Sequence, residues 1–184
     1  IGLFVATCAS TTFAGAVNGG SFRAGSIFAA TLMTILLAHE MGHYILARRH
    51  KVDVSLPFFI PLPIGIGTMG AVIKMRGRIP SRDALVDIGA AGPLAGLVGA
   101  VPLLVIGGAL SPLGLSPPGG IQEGNSLLYV AIKLVMKGFY LPSGGVDVQL
   151  HPMAFAAWVG ILVTFINLLP IGQLDGGHVA YGWL

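Results

Sequence analysis

The chain has 184 residues, of which 54% are hydrophobic and only 9% are charged, and its formal net charge at pH 7 is +3. A soluble domain usually carries about 25% charged residues, so roughly 46 would be expected at this length. The composition therefore excludes a disordered chain, a nucleic-acid-binding protein and an ordinary soluble domain. It indicates a membrane protein whose solvent is largely lipid.

Four apolar stretches are long enough, or nearly so, to cross a hydrocarbon core of about 30 Å as helices. Linkers rich in glycine, proline and serine separate them. We therefore predict an all-α polytopic membrane protein that forms a single unit over residues 1–184. Because the chain starts within an apolar run and stops without a polar tail, we expect it to be part of a longer protein. The predicted spans are residues 1–17, 24–47, 88–110 and 152–169.

The basic residues mark one side of the membrane. Seven of the ten lie between Arg48 and Arg82, in the loop that joins the second and third predicted spans. An excess of lysine and arginine is typical of cytoplasmic loops. This loop and the N-terminus are therefore predicted on the cytoplasmic side. The opposite loop, residues 111–124, carries one charged residue, Glu123.

The cytoplasmic loop has β-type patterning over residues 54–79. Residues 72–79 alternate apolar and basic side chains, which predicts a strand with one wet face in a small cytoplasmic-side hairpin or sheet. Residues 56–63 are too rich in proline for a helix or a central strand and too apolar for open solvent. We expect them at the headgroup level or at the edge of the sheet.

A short amphipathic helix is predicted on the outer side, over residues 126–138. Lys133 and Lys137 are four residues apart in it. The expected role is an interfacial helix that caps the outer face.

The motif His39-Glu40-Met41-Gly42-His43 lies inside the second span. On a helix, residues four apart share one face, so both imidazoles can bind one ion at about 2.0 to 2.1 Å. Glu40 is offset from that face and can instead hold a water as general base. Because ionisable groups in an apolar span are costly unless paired or bound to a cation, we interpret the motif as a metal site.

A catalytic zinc takes three protein ligands and keeps a fourth position open. The His pair lies about seven residues, or about 10 Å, from the basic boundary at Arg48, so the third ligand must reach that depth. His50 is too far along the helix to reach it. All the other acidic and histidine candidates except Asp175 and His178 lie in the loops, at the start of the third helix or on the outer side. The candidates are His50, Asp53, Asp83, Asp87, Glu123, Asp147, His151, Asp175 and His178.

Asp175 fits this depth best. It follows the fourth span in a segment broken by Pro170 and Gly172, which predicts unwound backbone inside the bundle. His178 is the second choice, and otherwise it starts the next helical turn.

These residues resemble a known family, the site-2 proteases (peptidase family M50), which are intramembrane zinc metalloproteases. The resemblance rests on the HExxH motif, on Ala91-Gly-Pro-Leu-Ala-Gly96, and on the NxxPxxxLDGG string from Asn167 to Gly177. It covers nearly all of residues 24–177. The stretches at 57–71 and 79–82 are similar to the branch with bacterial and plant chloroplast members, and no PDZ-like insert separates the spans.

The resemblance implies that His39, His43 and Asp175 bind one Zn²⁺, that Glu40 activates water, and that Asn167 helps position the substrate. An amide in an apolar helix needs a polar partner, so Asn167 could equally serve an interhelical hydrogen bond. Gly92, Pro93 and Gly96 are expected to permit close helix packing.

The function expected from the resemblance is hydrolysis of peptide bonds within or near transmembrane segments of membrane-protein substrates. The alternative is a zinc-binding transporter or sensor without proteolytic activity, which would need polar groups spaced across the membrane. We expect an integral, multi-pass protein, in a bacterial inner membrane or a chloroplast membrane, with its site toward the cytoplasmic side. Lipid and a substrate with a transmembrane helix are the expected partners, and the oligomeric state is left open.

Overall fold

The computed structural model describes residues 1–115, 124, 126–138, 141, 143 and 146–184. Within these residues the fold is mostly helical, with two small antiparallel sheets of two strands each. The helices are α1 (Gly2–Gly19), α2 (Phe22–Arg49), α3 (Arg82–Ala109), α4 (Leu127–Lys137), α5 (Pro152–Asn167) and α6 (Asp175–Trp183). The strands are β1 (Phe58–Pro61), β2 (Thr68–Val72), β3 (Leu113–Leu115) and β4 (Val146–Val148).

Local sequence signals set the limits of the two long helices. The hydroxyl of Ser21 accepts a hydrogen bond from the Ala24 backbone N–H at 3.1 Å, and Ser81 does the same for Ala84 at 3.1 Å. Such serine caps satisfy backbone donors that a helix start leaves free. Gly20 separates α1 from α2 with a φ of 68°, a left-handed conformation that glycine adopts without strain.

Two helices, α2 and α3, are long and apolar enough to cross a membrane, and each has 28 residues. Helix α5 is apolar but shorter, with 16 residues. The prediction of a mostly helical membrane protein is confirmed. The finer prediction of four transmembrane helices is not.

Helix α2 lies in the middle of the bundle, where it packs against α1, α3 and α5. One apolar cluster joins α2 to α5 and to strand β1, and a second joins α2, α3, α4 and α5. The first contains Phe28, Leu32, Met33, Leu36, Phe59, Ala156 and Val159. The second contains Ile35, Ala100, Leu104, Tyr129, Ala154 and Ala157.

The predicted strand at residues 72–79 is wrong. The hairpin forms one segment earlier, where Phe58 pairs with Val72 and Phe59 with Ala71. Beyond Val72 the chain forms an isolated bridge between Met75 and Val54, with further backbone hydrogen bonds to Asp53 and Ser55. Ile73 and Met75 pack on the buried cluster around Val54 and Ile88, as the alternation implies, but this pairing is too short to form a regular strand.

Of the two places predicted for the proline-rich segment, the headgroup level and the edge of the sheet, the structure shows the second, because residues 58–61 form β1. Phe59 is buried among residues of α2 that precede His39, and its ring makes an edge contact with Phe4 at 5.1 Å between centroids. Near the turn of the hairpin, the Ser10 hydroxyl donates to the Gly67 carbonyl at 2.6 Å, halfway along α1. The hairpin therefore runs alongside α2 past the level of the HExxH motif, so it is not confined to the cytoplasmic boundary.

The short helix predicted over residues 126–138 is present as α4, with Ser126 as its N-cap and Gly138 as its C-cap, and its place on the outer side stays a prediction. Its lysines do not point outward, since Lys133 is buried. Residues 116–123, including Glu123, lie outside the described part of the chain.

Candidate metal centre

The two histidines of the HExxH motif meet on one face of α2. Both side chains are buried, and their Nε2 atoms lie 3.2 Å apart. This separation follows from the helix, because residues four apart stack one above the other. The predicted convergence of His39 and His43 is present.

Asp175 reaches the same point from the first turn of α6. Its Oδ2 atom lies 3.0 Å from His39 Nε2, and its Oδ1 atom lies 3.2 Å from His43 Nε2. Three ligands placed tetrahedrally at 2.0 to 2.1 Å from an ion stand about 3.3 Å from one another. The two histidine nitrogens are separated by close to that value, and a different oxygen of Asp175 lies within 3.2 Å of each, so the donor set fits a metal with nitrogen and oxygen ligands such as zinc.

The second nitrogen of His43 fixes how that ring is used. Nδ1 lies 2.7 Å from the backbone carbonyl of Ile88 on α3, which can only accept, so Nδ1 carries the proton. The lone pair of Nε2 is then free to face the cluster. Metal-binding histidines usually hold their other N–H in this way, which sets the tautomer and the ring orientation. A backbone carbonyl leaves no mark in the sequence, so Ile88 was not predicted.

Helix α3 can approach the histidines because it carries glycines at the contact. A Cβ on Gly92 would overlap the His43 imidazole, and one on Gly96 would lie 3.1 Å from His39 Nδ1. Gly42, inside the motif itself, rests against the Ala91 backbone carbonyl. The prediction that the α3 glycines serve close packing agrees with this geometry, and the packing is directly against the metal ligands.

The break between α5 and α6 orients Asp175. The chain turns after Asn167, and Gly176 lies against the Leu168 carbonyl, where any side chain would overlap backbone. Asp175 is the first residue of α6, and the helix N-terminus favours its negative charge. The predicted break in the helix is present at residues 168–174, but most of these residues are exposed, so the prediction that the segment lies inside the bundle is wrong within this chain.

Glu40 lies beside the cluster without belonging to it. Its side chain is buried, and it is close enough to interact electrostatically with both His43 and Asp175. Its carboxylate makes no hydrogen bond to another described residue. A buried acceptor placed next to a metal position is suited to hold and deprotonate a water molecule.

Asn167 ends α5 and is half-buried. Its side-chain amide makes no hydrogen bond to another described residue, so the interhelical hydrogen bond considered for it is not seen. The turn that precedes Asp175 separates Asn167 from the metal ligands.

The other candidate ligands have different partners. Among the described residues, His39, His43 and Asp175 are the one group of metal-ligating side chains within 4.8 Å of one another. His50 pairs with Asp87 at 3.0 Å on the exposed surface, and His178 lies in α6 with its Cβ near Gly89. His151 caps α5 and Asp147 pairs with Lys133.

Comparison with known proteins agrees with this centre. The profile described as Peptidase family M50 matches residues 27–184, which is most of the chain. The chain belongs to peptidase family M50. The resemblance seen in the sequence is thereby confirmed, and the family is described as a peptidase family.

Curated relatives carry matching names. The chain is 35% identical over 157 residues to "Probable zinc metalloprotease EGY1, chloroplastic" of Oryza sativa subsp. japonica, covering 82% of this chain and 27% of that protein. It is 33% identical over 150 residues to "Probable zinc metalloprotease EGY2, chloroplastic" of Arabidopsis thaliana, covering 80% and 26%. The chain thus spans about a quarter of the length of these relatives. No solved structure matches it.

These names and the donor geometry support the prediction of a zinc cofactor. The relatives are named chloroplastic, and the chain itself is a membrane protein with two apolar helices. Nothing in these comparisons supports a bacterial inner membrane, so that location stays a prediction.

Proposed function

We propose that this chain is the catalytic core of an intramembrane zinc metalloprotease that hydrolyses peptide bonds within or near transmembrane segments. The observation that carries the proposal is the convergence of His39, His43 and Asp175 with Glu40 beside them, all within an apolar bundle. Ionisable groups at such a place are functional by default. Family membership supports the same reaction class.

His39, His43 and Asp175 are proposed to hold one Zn²⁺. When bound, such an ion polarises the scissile carbonyl and lowers the pKa of a coordinated water. The chain's own contribution is the donor set and its orientation. Ile88 holds the His43 tautomer, and the first turn of α6 presents the Asp175 carboxylate.

Glu40 is proposed as the general base. Its carboxylate accepts a proton from the attacking water and later gives that proton to the leaving amine nitrogen. Burial excludes bulk water from around the carboxylate and strengthens its interactions with charged neighbours. The absence of a hydrogen bond to any other described residue leaves both oxygens available for that water.

Asn167 is proposed to bind the substrate. Its amide is half-buried and uncommitted, and it lies at the end of α5 immediately before the turn that carries Asp175 to the site. A side-chain amide there could donate to a peptide carbonyl of an extended substrate segment.

The expected substrate is a membrane protein whose transmembrane helix unwinds locally before cleavage. The site is proposed to open toward the side of the basic cluster, because only about 10 Å separates the His pair from Arg48 along α2. Both a chloroplast and a bacterial inner membrane are compatible with that arrangement. The single membrane-embedded unit over residues 1–184 is likewise proposed as the core of the longer protein.

The competing function is a zinc-binding transporter or sensor. A transport path needs free polar groups across the membrane, but on the outer part of α2 the hydroxyls of Ser26 and Thr34 donate to carbonyls of their own helix. That observation favours the protease.

The decisive experiment compares Glu40→Gln with wild type in full-length protein, measuring zinc content and cleavage of a membrane-protein substrate. The protease assignment requires zinc at one ion per chain in both proteins and loss of cleavage in the variant by at least about a hundredfold. Asp87→Asn is the matched control, because it also converts a carboxylate to an amide but lies in an exposed pair with His50. If Glu40→Gln lost zinc and cleavage to the same extent, or lost neither, the protease assignment would be wrong.

A further inference from the structure

Helix α4 has its polar and apolar sides reversed relative to a helix on a soluble surface. Lys133 is only 4% exposed, whereas Leu127 is 92% and Val135 is 85% exposed. A surface helix in water turns its charges outward and its leucines to the core. The outward side, called here the α4 apolar face, consists of Leu127, Leu128, Ala131, Leu134 and Val135.

Each lysine of α4 has a specific partner on the inner side. Lys133 Nζ donates to Asp147 Oδ1 at 2.9 Å and lies over the Tyr129 ring, 4.5 Å from its centroid. Lys137 Nζ donates to the Ser111 carbonyl at 2.8 Å. Both cations are thereby withdrawn from the outer surface, so no charge of α4 lies on its apolar face.

The level of α4 in the bundle can be measured along α3. Gly96 faces His39, and Gly108, twelve residues later, faces Met136 of α4. Those twelve residues span about 18 Å of helix. His39 precedes Arg48 by nine residues, or about 14 Å of helix, so α4 lies about 32 Å from the basic boundary, at the far side of a hydrocarbon core of about 30 Å.

The neighbouring helix α3 also exposes apolar side chains near the end that contacts α4. The last turns of α3, against which α4 packs, expose Val105, Ile106 and Leu110. Helix α3 is long and apolar enough to cross a membrane. The α4 apolar face thus lies beside exposed apolar side chains of a helix able to cross a membrane, which is the surrounding that lipid contact requires.

We infer that the α4 apolar face docks into the acyl chains of the membrane leaflet opposite the basic cluster. The partner is the lipid itself, and the buried lysines are the adaptation that allows a helix with two cations to lie there. This inference goes beyond the sequence expectation of an interfacial helix, because it says which face of α4 contacts the lipid and how its two lysines are accommodated. It does not depend on the proposed chemistry.

The test is spin-label accessibility in full-length protein reconstituted into phosphatidylcholine vesicles. Cys8 is replaced by alanine, which removes the cysteine of residues 1–184, and any cysteine elsewhere in the full chain is replaced too. Nitroxides are then placed at Ala131 or Val135 on the α4 apolar face, and at exposed Arg78 in the basic loop as control. Unchanged thermal unfolding verifies that each labelled protein is folded.

For each label we take the ratio of its collision rate with oxygen to its collision rate with a water-soluble nickel chelate. We expect this ratio to be at least about threefold higher for labels on the α4 apolar face than for the label at Arg78. A higher collision rate with the chelate would show a wet face and overturn the inference. Low collision with both reagents would also overturn it, because protein would then cover the face. Spin–spin broadening in that case would identify a second copy as the cover.

Discussion

Gly92 on α3 lies directly against the imidazole of His43 on α2, so that no side chain fits between the α3 backbone and the ring. The Ile88 carbonyl, one turn earlier on the same helix, lies 2.7 Å from Nδ1 of that ring. The backbone of α3 therefore determines where His43 Nε2 points. An arrangement of this kind makes the metal centre sensitive to a single methyl group on α3.

Gly92→Ala tests that relationship. The new Cβ would overlap the His43 ring and displace Nε2 from the position that completes the donor set. Loss of support around a metal ligand typically costs about 10- to 100-fold in affinity, and we expect a loss in that range. Zinc affinity is measured by competition with a chelating dye.

The matched control is Gly99→Ala, in the same helix. A Cβ there would meet only the Ala38 Cβ at 3.5 Å, an ordinary contact. We expect unchanged zinc affinity for this variant. Equal affinities for the two variants would show that α3 does not orient His43.

Asp175→Ala tests the third ligand. The variant retains two histidines, too few for a catalytic zinc site, so stoichiometric zinc should be lost. Bound metal stabilises the folded state by about 2.7 kcal/mol when its free concentration is 100 times the dissociation constant. A chelator should therefore lower the melting temperature of wild type and leave that of the variant unchanged.

His178→Ala is the control for that experiment, since His178 lies one turn further along α6 and outside the donor cluster. It should keep both the zinc and the response to chelator. If His178→Ala lost its zinc while Asp175→Ala kept it, the assignment of the third ligand would be wrong.

The sequence predicted the metal centre better than it predicted the sheet, for a physical reason. His39 and His43 are related by helix geometry, which spacing alone specifies. Asp175 could be assigned because few ionisable residues exist at the required depth. The Ile88 contact could not be predicted, because it uses a backbone carbonyl and depends on how α2 and α3 pack.

The hairpin and α4 were predicted in part. A β-type segment was expected in the loop after α2, but alternation favoured residues 72–79, while burial of Phe59 selected Phe58–Pro61. The α4 helix was predicted, but the side facing inward was not. A pattern of period 3.6 gives two faces and does not say which one contacts the protein when the surroundings are lipid.

Lys133→Met tests the inward ion pair of α4. The substitution leaves the Asp147 carboxylate without the ammonium group that lies 2.9 Å from it. Breaking a buried pair costs about 3 to 5 kcal/mol, and because Asp147 is 19% exposed we expect about 2 to 3 kcal/mol of lost unfolding free energy. Thermal unfolding in lipid bicelles measures it.

The double variant Lys133→Met with Asp147→Leu decides whether the loss comes from the unpaired charge. Replacing both partners by apolar side chains of similar size removes the uncompensated carboxylate, so stability should return to within about 1 kcal/mol of wild type. His50→Gln, which breaks an exposed pair with Asp87, should cost no more than about 1 kcal/mol. A double variant no more stable than Lys133→Met would mean that Lys133 stabilises α4 through contacts other than its pair with Asp147, such as the cation–π contact with Tyr129.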